Sequence, residues 1–394
     1  MKKILLILFL LFTKFTFAQW TNLESGTTNW LRAVSFTTVD TGYVVGYSGI
    51  ILKTTDGGVN WISQTSTTTN NLFGVFFISS STGWVCGANG TILKTSNGGT
   101  TWTAQTSPAI WVLHEPFFLD ANNGYIAGEL GTCLKTINGG TTWTSLSLST
   151  GNGKVSVFFN DVNTGYVSGA GFSDAIMKTT DGGTNWSNIY LSSAEEFSSI
   201  YFTGINDGYA VSTVSGKVLK TINAGTAWTS QTPAGSGGLY SVKFPTPTDG
   251  FIVGGFPSNS RILKTINSGA TWTSQVSSTT EPLFDAFFIN SSIGYAVGKN
   301  GAIIKTINGG QVGIEENQLA TTWSIYPNPA TDNFHIQSEH DIKEIKILDL
   351  NGNVIKYVAN EKTSIDISDI SIGLYIIQVT TDKGISSQKL IRQN

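Results

Sequence analysis

Charged side chains are scarce in this sequence. Asp, Glu, Lys and Arg make up only 12% of its 394 residues, and the formal net charge at pH 7 is −3. Between residues 20 and 322 there are thirteen Lys and Arg, and seven of these recur at one position of a repeat. Nucleic-acid binding needs a clustered cationic surface. We therefore expect no nucleic-acid partner.

Cysteine and histidine are rarer still. Cys86 and Cys133 are too few for a disulfide scaffold. Each replaces a small or apolar strand residue of a neighbouring repeat, which predicts two buried thiols, with a disulfide as the alternative. His114 is the only histidine before residue 311, and no phosphate-binding or dinucleotide-binding loop follows a strand. The sequence therefore predicts neither a metal site nor a cofactor.

Long apolar runs are absent after the N-terminus. Lys2 and Lys3 precede the apolar run Ile4–Phe12, and a small-residue site ends at Ala18, which is typical of a secretory signal peptide. The alternative, a transmembrane anchor, needs about 20 apolar residues, and this run is shorter. We expect residues 1–18 to be a signal peptide and the mature chain to be fully exported, without a membrane span.

What the sequence does contain is an internal repeat. The stretch Leu52–Trp61 reads Leu-Lys-Thr-Thr-Asp-Gly-Gly-Val-Asn-Trp; five complete variants and a truncated seventh copy follow. The lysines that mark the copies are 41, 41, 43, 42, 44 and 41 residues apart. This period is typical of one four-stranded blade of a β-propeller. The marker lysines are Lys53, Lys94, Lys135, Lys178, Lys220, Lys264 and Lys305.

Each repeat carries the signals of four short strands. An apolar strand is followed by a Gly-aromatic pair such as Gly83-Trp84, then by a strand that ends at Lys-Thr, and an Asx-Gly-Gly turn leads to a strand opened by Trp. The seventh copy breaks off after Gly310, but the mature chain begins with Trp20-Thr21-Asn22. We expect this N-terminal strand to complete the last blade, since closure removes exposed sheet edges.

The spacing of Thr54, Asp56, Gly58 and Trp61 resembles the Asp-box, or BNR, motif of sialidases and other propellers. In such a turn a short Asx side chain accepts backbone N–H groups, and Gly adopts positive φ. Asp alternates with Asn among the copies, and Asn cannot replace an ionised nucleophile or a charged cation ligand. We interpret the motif as structural, with calcium binding or catalysis as alternatives. Its Asx residues are Asp56, Asn97, Asn138, Asp181, Asn223, Asn267 and Asn308.

Residues 19–310 as a whole are similar to the photosystem II stability/assembly factor-like family and, more distantly, to Asp-box hydrolases. The resemblance implies a seven-bladed β-propeller. We carry over only the fold, because the sequence has too few arginines for the basic patch associated with that family. The predicted fold class is all-β: a seven-bladed β-propeller followed by a small β-sandwich.

Function is predicted at the end of the blades opposite the repeated turns. One position of the first strand varies among the copies, and propeller geometry places it near the mouth of the central channel. An aromatic-lined mouth with a few polar groups suits a glycan or a peptide, whereas the alternative is that these side chains only plug the channel. The candidate ligand-binding residues are Arg32, Phe73, His114, Ser198, Tyr240 and Phe284, together with Arg261 from a nearby irregular loop.

Catalysis has weaker support in the sequence. Asp-box sialidases use three arginines on the substrate carboxylate, but the propeller region has only Arg32 and Arg261. Hydrolysis by two carboxylates remains an alternative, because several acids, including Glu115 and Asp285, lie in or near variable segments. We therefore expect a non-catalytic protein that binds a glycan or protein ligand. The alternatives are a secreted glycoside hydrolase and a structural spacer of a surface layer.

The composition changes after Gly310. Residues 311–322 form a polar linker, and residues 323–394 are richer in charge. Ser324–Phe334, Ile345–Gly352, Gly373–Val379 and Gln388–Ile391 resemble, in order and spacing, the type IX (Por) secretion C-terminal sorting domain of Bacteroidetes. The resemblance implies the type IX secretion machinery as a partner and a secreted or outer-surface location. Strand alternation independently predicts a small antiparallel β-sandwich, with an ordinary ligand-binding β-domain as the alternative.

Overall fold

The structure is a computed structural model that describes residues 19–148, 153–169, 176–192, 194–235, 237–256, 259–310, 323–338, 340–349, 354–359, 364–382 and 384–393. The predicted signal peptide, residues 1–18, and the predicted linker, residues 311–322, lie outside this described part. The chain divides into two compact units, with the boundary between residues 311 and 312. The described residues form strands and three short 3-10 turns, at Tyr47–Gly49, Ala88–Gly90 and Lys299–Gly301.

Blades 1 to 3 are antiparallel meanders of four consecutive strands. Blade 1 consists of Leu31–Phe36, Gly42–Gly46, Ile51–Thr54 and Ile62–Gln64. Blade 2 consists of Leu72–Phe77, Gly83–Gly87, Ile92–Thr95 and Thr103–Ala104. Blade 3 consists of Leu113–Phe118, Gly124–Gly128, Thr132–Thr136 and Thr144–Ser147.

Blades 4 to 6 repeat the same meander. Blade 4 consists of Lys154–Phe159, Gly165–Gly169, Ile176–Thr179 and Ser187–Tyr190. Blade 5 consists of Phe197–Phe202, Gly208–Ser212, Val218–Thr221 and Thr229–Gln231. Blade 6 consists of Leu239–Lys243, Gly250–Gly254, Arg261–Thr265 and Thr273–Ser274.

Blade 7 joins the two ends of the propeller chain, as the sequence predicts. Three of its strands are consecutive, and the fourth is the N-terminal strand, with Thr21 paired to Lys305. Trp20 is fully buried and meets the ring of Phe288 edge-on at 5.9 Å. The Asp-box Trp61 of blade 1 meets Phe36 in the same way at 6.1 Å. The strands of blade 7 are Leu283–Phe288, Gly294–Gly298, Ile303–Thr306 and Thr21–Leu23.

Aromatic rings form the joints between blades. The first strand of each blade is its inner strand, and a Phe at its end, or directly after it in blade 6, stacks on the ring of the Gly-aromatic pair in the preceding blade. The seven centroid distances lie between 3.6 and 4.1 Å. The same Phe covers the glycine of its own blade: a Cβ on Gly42 would lie 2.4 Å from the Phe36 ring. This close approach explains why glycine precedes the aromatic residue in every copy.

The Asp-box residues build the turns at the outer side of each blade. In blade 1 the Thr54 hydroxyl donates to Asp56 Oδ1 at 2.8 Å, and the Gly58 N–H donates to the Thr54 hydroxyl at 2.9 Å. Asp56 Oδ1 also accepts the N–H of Asn60 at 2.9 Å. In every blade the Asx side chain accepts the hydroxyl of the Thr two residues earlier, in Asp56, Asn97, Asn138, Asp181, Asn223, Asn267 and Asn308 alike.

The cysteines lie in the cores of blades 2 and 3. Cys86 and Cys133 are both buried and both free thiols. Burial raises the pKa of the Cys133 thiol to about 12. The two thiols therefore pack as small apolar side chains.

The C-terminal unit contains two antiparallel sheets. One has Trp323–Tyr326, Asn333–Ser338 and Ser364–Asp366; the other has, in spatial order, Val354–Ala359, Ile342–Leu348, Gly373–Thr381 and Gly384–Arg392. Phe334 and Ile365 of the first sheet share a buried core with Ile347, Ile377 and Leu390 of the second. This arrangement is the predicted small β-sandwich.

Candidate functional site

The seven inner strands surround a central channel that contains a cavity of about 390 Å³. Because each inner strand runs along the channel, equivalent positions of the seven strands form rings at successive depths. The second position forms what we call the mouth ring. Glu196 and Thr213, from loops at the same end, line the cavity beside it. The mouth ring consists of Arg32, Phe73, His114, Val155, Ser198, Tyr240 and Phe284.

Arg32 lies between two aromatic rings of the mouth. Its guanidinium carbon is 4.3 Å from the centroid of Phe284 and 5.5 Å from that of Phe73. Its Nε atom is buried and has no hydrogen-bond partner. Burial lowers the pKa of Arg32, while Tyr47, Tyr240 and Asp285 oppose that shift. An arginine remains charged under such conditions, so the mouth contains a cation held by π faces.

The aromatic wall extends outward from Phe284. Trp30 stacks on Phe284 at 5.5 Å and on Tyr47 at 5.3 Å. Tyr240 meets Phe284 edge-on at 5.4 Å. Aromatic walls of this kind bind flat apolar groups and sugar faces. Trp30 and Tyr47 were not among the residues predicted from the sequence, because they precede or follow the strands that the repeat defines.

Two other polar members of the mouth ring, His114 and Ser198, contact neighbouring residues of the propeller. His114 packs against Phe73 at 5.3 Å, and its Nε2 is 3.7 Å from Glu129. Burial, with a contribution from Arg32, lowers the pKa of His114 to about 4, so it is neutral at pH 7. The Ser198 hydroxyl donates to the carbonyls of Leu239 and Tyr240, each at 2.9 Å.

Arg261 lies outside the set of residues that line the cavity. Its side chain is buried and donates to the carbonyls of Gly237, Pro233 and Ala234 at 3.0, 2.6 and 3.0 Å. Three backbone acceptors hold this guanidinium in place, so Arg261 links the backbone of these three residues. The two arginines that the sequence places together as candidates therefore have different environments.

A charge cluster lies deeper in the channel. Lys243 Nζ is 3.7 Å from Glu115 Oε1 and 3.8 Å from Asp285 Oδ1, and all three side chains line the cavity. Burial alone would lower the pKa of Lys243, but Asp285 and Glu115 outweigh it and raise that pKa. Burial raises the pKa of Glu115, against the opposing effect of Lys243.

Both carboxylates also bind the inner strand of a neighbouring blade. Glu115 Oε2 accepts the Ser156 hydroxyl at 2.5 Å and the Val157 N–H at 3.2 Å. Asp285 accepts the Val34 N–H at 3.1 Å and the Ser241 hydroxyl at 2.8 Å. These hydrogen bonds, with Lys243, satisfy the two acids and tie the inner strands together.

Glu115 and Asp285 are among the acids that the sequence pattern singles out, but Lys243 is not among the predicted residues. The repeat nevertheless contains a pattern that indicates Lys243. The fifth position of the inner strand is aromatic in five blades and serine in blade 1, and only blade 6 has a lysine. A long cation at a position that other blades fill with apolar rings indicates a buried acidic partner. The equivalent residues are Ser35, Phe76, Phe117, Phe158, Tyr201, Lys243 and Phe287.

Solved structures with similar folds include propellers with different functions. The structure of YCF48 bound to D1 peptide is 20% identical, with a TM-score of 0.63, and the match covers 74% of this chain and 98% of that chain. The GH74 enzyme of Niastella koreensis is 17% identical, with a TM-score of 0.62 and coverage of 94% and 60%. A catalytically inactive virginiamycin B lyase from Staphylococcus aureus with Quinupristin is 11% identical, with a TM-score of 0.59 and coverage of 73% and 98%. At these identities the likeness shows the fold alone, and no curated protein sequence matches the chain.

The tail determines where the protein goes. Residues 324–393 match the secretion system C-terminal sorting domain, in agreement with the predicted type IX sorting domain. The protein is therefore secreted or located at the outer cell surface, and the type IX secretion machinery is its partner in export. Within the described residues, no helix has the length and apolar character needed to cross a membrane.

The propeller sequence matches a family model as well. Residues 13–106, 63–151 and 110–242 each match the model described as photosynthesis system II assembly factor YCF48, and together these segments span more than half of the chain. The match agrees with the resemblance found in the repeat and with the seven-bladed architecture. The chain belongs to the photosynthesis system II assembly factor YCF48 family.

Proposed function

We propose that this protein is an exported, non-catalytic binding protein whose channel mouth takes up part of a glycan or protein ligand. The observation that carries this proposal is the cavity of about 390 Å³ behind an aromatic mouth ring. Ligand pockets are typically concave, mostly apolar and about 300–1,000 Å³ in volume, with a few polar groups that orient the ligand. A structural spacer would need no such cavity.

The comparisons are compatible with binding by this fold. YCF48 has been solved with D1 peptide, and the lyase with Quinupristin. Both structures hold a ligand on a similar propeller, which supports a binding role without identifying the ligand of this chain. Export by the sorting domain is compatible with a glycan or protein ligand outside the cell.

The test is a binding screen of the purified protein on glycan and peptide arrays. We expect hits that are weakened by Phe284→Ala and Tyr240→Ala, because these rings form the mouth. A matched control is Tyr357→Ala, which removes an exposed aromatic ring of the C-terminal unit. Absence of binding on both arrays would contradict the proposal.

A secreted glycoside hydrolase is the second candidate, favoured by one observation. Glu115 and Asp285 both lie within 4 Å of Lys243, so the channel contains a close pair of acids, one with a raised pKa. Glycosidases use two carboxylates about 5–5.5 Å or about 6.5–9.5 Å apart. Here both acids are engaged by Lys243 and by neighbouring strands, which favours a structural role.

Hydrolysis assays separate the two functions. The protein is incubated with a panel of polysaccharides and the release of reducing ends is measured. We expect no release above that of a Glu115→Gln/Asp285→Asn double variant. Hydrolysis that this variant loses, while its unfolding temperature stays similar, would favour the hydrolase.

A further inference from the structure

The charge of Asp285 acts to raise the pKa of Arg32, but the two side chains form no ion pair. In the described part of the chain no residue forms an ion pair with its guanidinium, and its buried Nε has no acceptor. A guanidinium carries five N–H donors, and burying donors without acceptors costs free energy. The mouth therefore contains donor capacity that the protein itself leaves unused.

Blade packing does not require an arginine at this position. Equivalent positions in other blades hold Phe73, Val155 and Phe284, and those blades have the same four strands. The cation–π contacts of Arg32 hold the guanidinium between two rings, but ring faces do not accept the N–H groups at the guanidinium edge. These contacts fix the orientation of the guanidinium and leave its edge for another partner.

The acids around the mouth form no ion pair with Arg32 in the described part of the chain. Asp285 accepts hydrogen bonds from Val34 and Ser241 and lies beside Lys243. Glu129 lies beside His114. Glu196 lines the same cavity but forms no ion pair with Arg32. No described acid therefore occupies the edge of this guanidinium.

We propose that the ligand taken up by the mouth carries a carboxylate, and that Arg32 binds this carboxylate between the rings of Phe73 and Phe284. This inference rests on the proposed binding function and names the chemistry of the ligand. The planar guanidinium presents two parallel N–H groups that match the two oxygens of a carboxylate. The surrounding rings exclude water, which strengthens such a pair. An acidic sugar and a peptide carboxylate offer the same group.

Paired probes test the carboxylate on the unmodified protein. One set contains peptides made both as free C-terminal acids and as C-terminal amides. The other contains oligosaccharides with a uronic or sialic acid, each beside its methyl ester. We expect the free acid to bind on the order of 10- to 100-fold more tightly than its neutral partner, since a charge-assisted hydrogen-bond pair is lost. The set that shows the difference identifies the source of the carboxylate.

Variants then assign the effect to Arg32. Arg32→Gln should remove the preference for the acid, while Arg32→Lys should retain part of it, because the charge remains and the fork is lost. The matched control is Lys299→Gln, which removes a positive charge near Trp30 but does not line the cavity. It should keep the preference. Circular dichroism and thermal unfolding check that each variant is folded.

The possible outcomes are distinct. A preference for acids that is lost in Arg32→Gln supports the inference. Equal binding of acids and neutral partners overturns it and leaves the proposed binding function intact. A preference that Arg32→Gln retains also overturns it, because another group then binds the carboxylate. Absence of binding in both sets overturns the inference together with the proposed function.

Discussion

Lys305 donates from Nζ to the carbonyl oxygen of Gly57 at 2.8 Å, across 248 residues of chain. The Tyr295 hydroxyl donates to the same carbonyl, also at 2.8 Å. This contact joins blade 7 to the Asp-box turn of blade 1. The marker lysine of every blade makes the same bond to the next turn, with distances between 2.6 and 3.0 Å. The repeated lysine is thus a contact between blades, which explains its recurrence in a sequence poor in charge.

Replacing Lys305 should weaken the closure of the ring. Lys305→Met keeps the aliphatic stem but removes the ammonium, so the Gly57 carbonyl loses its charged donor. We expect a loss of about 1–3 kcal/mol in the free energy of unfolding, the usual effect of a hydrogen bond to a charged group. Denaturant titration measures it. Lys299→Met, in the same blade but without such a carbonyl, is the control, and an equal effect of both changes would contradict the closing role.

The Asp-box of blade 1 should tolerate asparagine but not alanine. Asp56 pairs with the Asn60 amide at 2.7 Å, whereas Asn97 of blade 2 donates to the Thr101 hydroxyl at 2.9 Å. The double variant Asp56→Asn/Asn60→Thr copies the blade 2 pair and should keep the unfolding temperature at pH 7. Asp56→Ala leaves the turn N–H groups without their acceptor and should lower it. Equal unfolding temperatures for the two variants would contradict this interpretation of the motif.

The same pair predicts a change in acid stability. Hydrogen bonds from the Asn60 N–H and amide and from the Thr54 hydroxyl lower the pKa of Asp56 to about 2. A lowered carboxyl pKa contributes stability that is present above the unfolded-state pKa, near 4, and is lost as the pH falls through about 2. Chemical unfolding between pH 5 and 2 should therefore show a shallower loss for Asp56→Asn/Asn60→Thr than for the unmodified protein. Parallel curves would refute this assignment.

His114 should make the propeller less stable in mild acid. Its pKa falls from 6.5 to about 4 on folding. Between these two pH values His114 is therefore protonated in the unfolded chain but neutral in the folded chain. Stability is then lost as the pH falls from about 6.5 to about 4, by at most about 3 kcal/mol. His114→Phe, which copies the equivalent Phe73, should gain stability relative to the unmodified protein over that interval. His340→Phe, in the C-terminal unit, should not change the pH dependence of propeller unfolding.

Lys243 should stabilise the propeller because it is the counter-charge of two acids, Glu115 and Asp285. Lys243→Met leaves Glu115 and Asp285 together in the channel without a counter-charge, and we expect a loss of about 2–3 kcal/mol, less than for a fully buried pair because the lysine is 24% exposed. Adding Glu115→Gln should recover part of that loss, since only one acid remains charged. A double-variant cycle measures this coupling. Strictly additive effects would contradict an interaction between the two residues.

Much of the fold is readable from local sequence because the blade is a local structure. The Gly-aromatic pair, the Lys-Thr strand end and the Asx-Gly-Gly turn each lie within about 20 residues of one another, and each has a short-range physical cause. Even the long-range closure is indicated, since the missing seventh Trp and the free Trp20 complement each other. The Asp/Asn exchange likewise indicates a hydrogen-bonding turn.

The contacts of the candidate site, in contrast, could not be predicted from local sequence. The sequence does not distinguish Arg32 from Arg261. Only packing shows that Arg261 donates to three carbonyls, whereas Arg32 has no such acceptor among the described residues. Glu115, Lys243 and Asp285 come from blades 3, 6 and 7, and no local pattern predicts that their side chains meet. Trp30 and Tyr47 join the mouth from outside the strands.

The sequence by itself determined the number of blades, their turns, the closure of the ring and the export route, because these depend on periodicity and on contiguous motifs. The tertiary structure alone decided which polar groups in the channel are satisfied. Those groups lie on strands that the chain separates by tens to hundreds of residues, and they meet only when the ring closes around the axis. Whether a buried charge has a partner is therefore a property of the closed ring, and in that ring the buried Nε of Arg32 has no acceptor among the described residues.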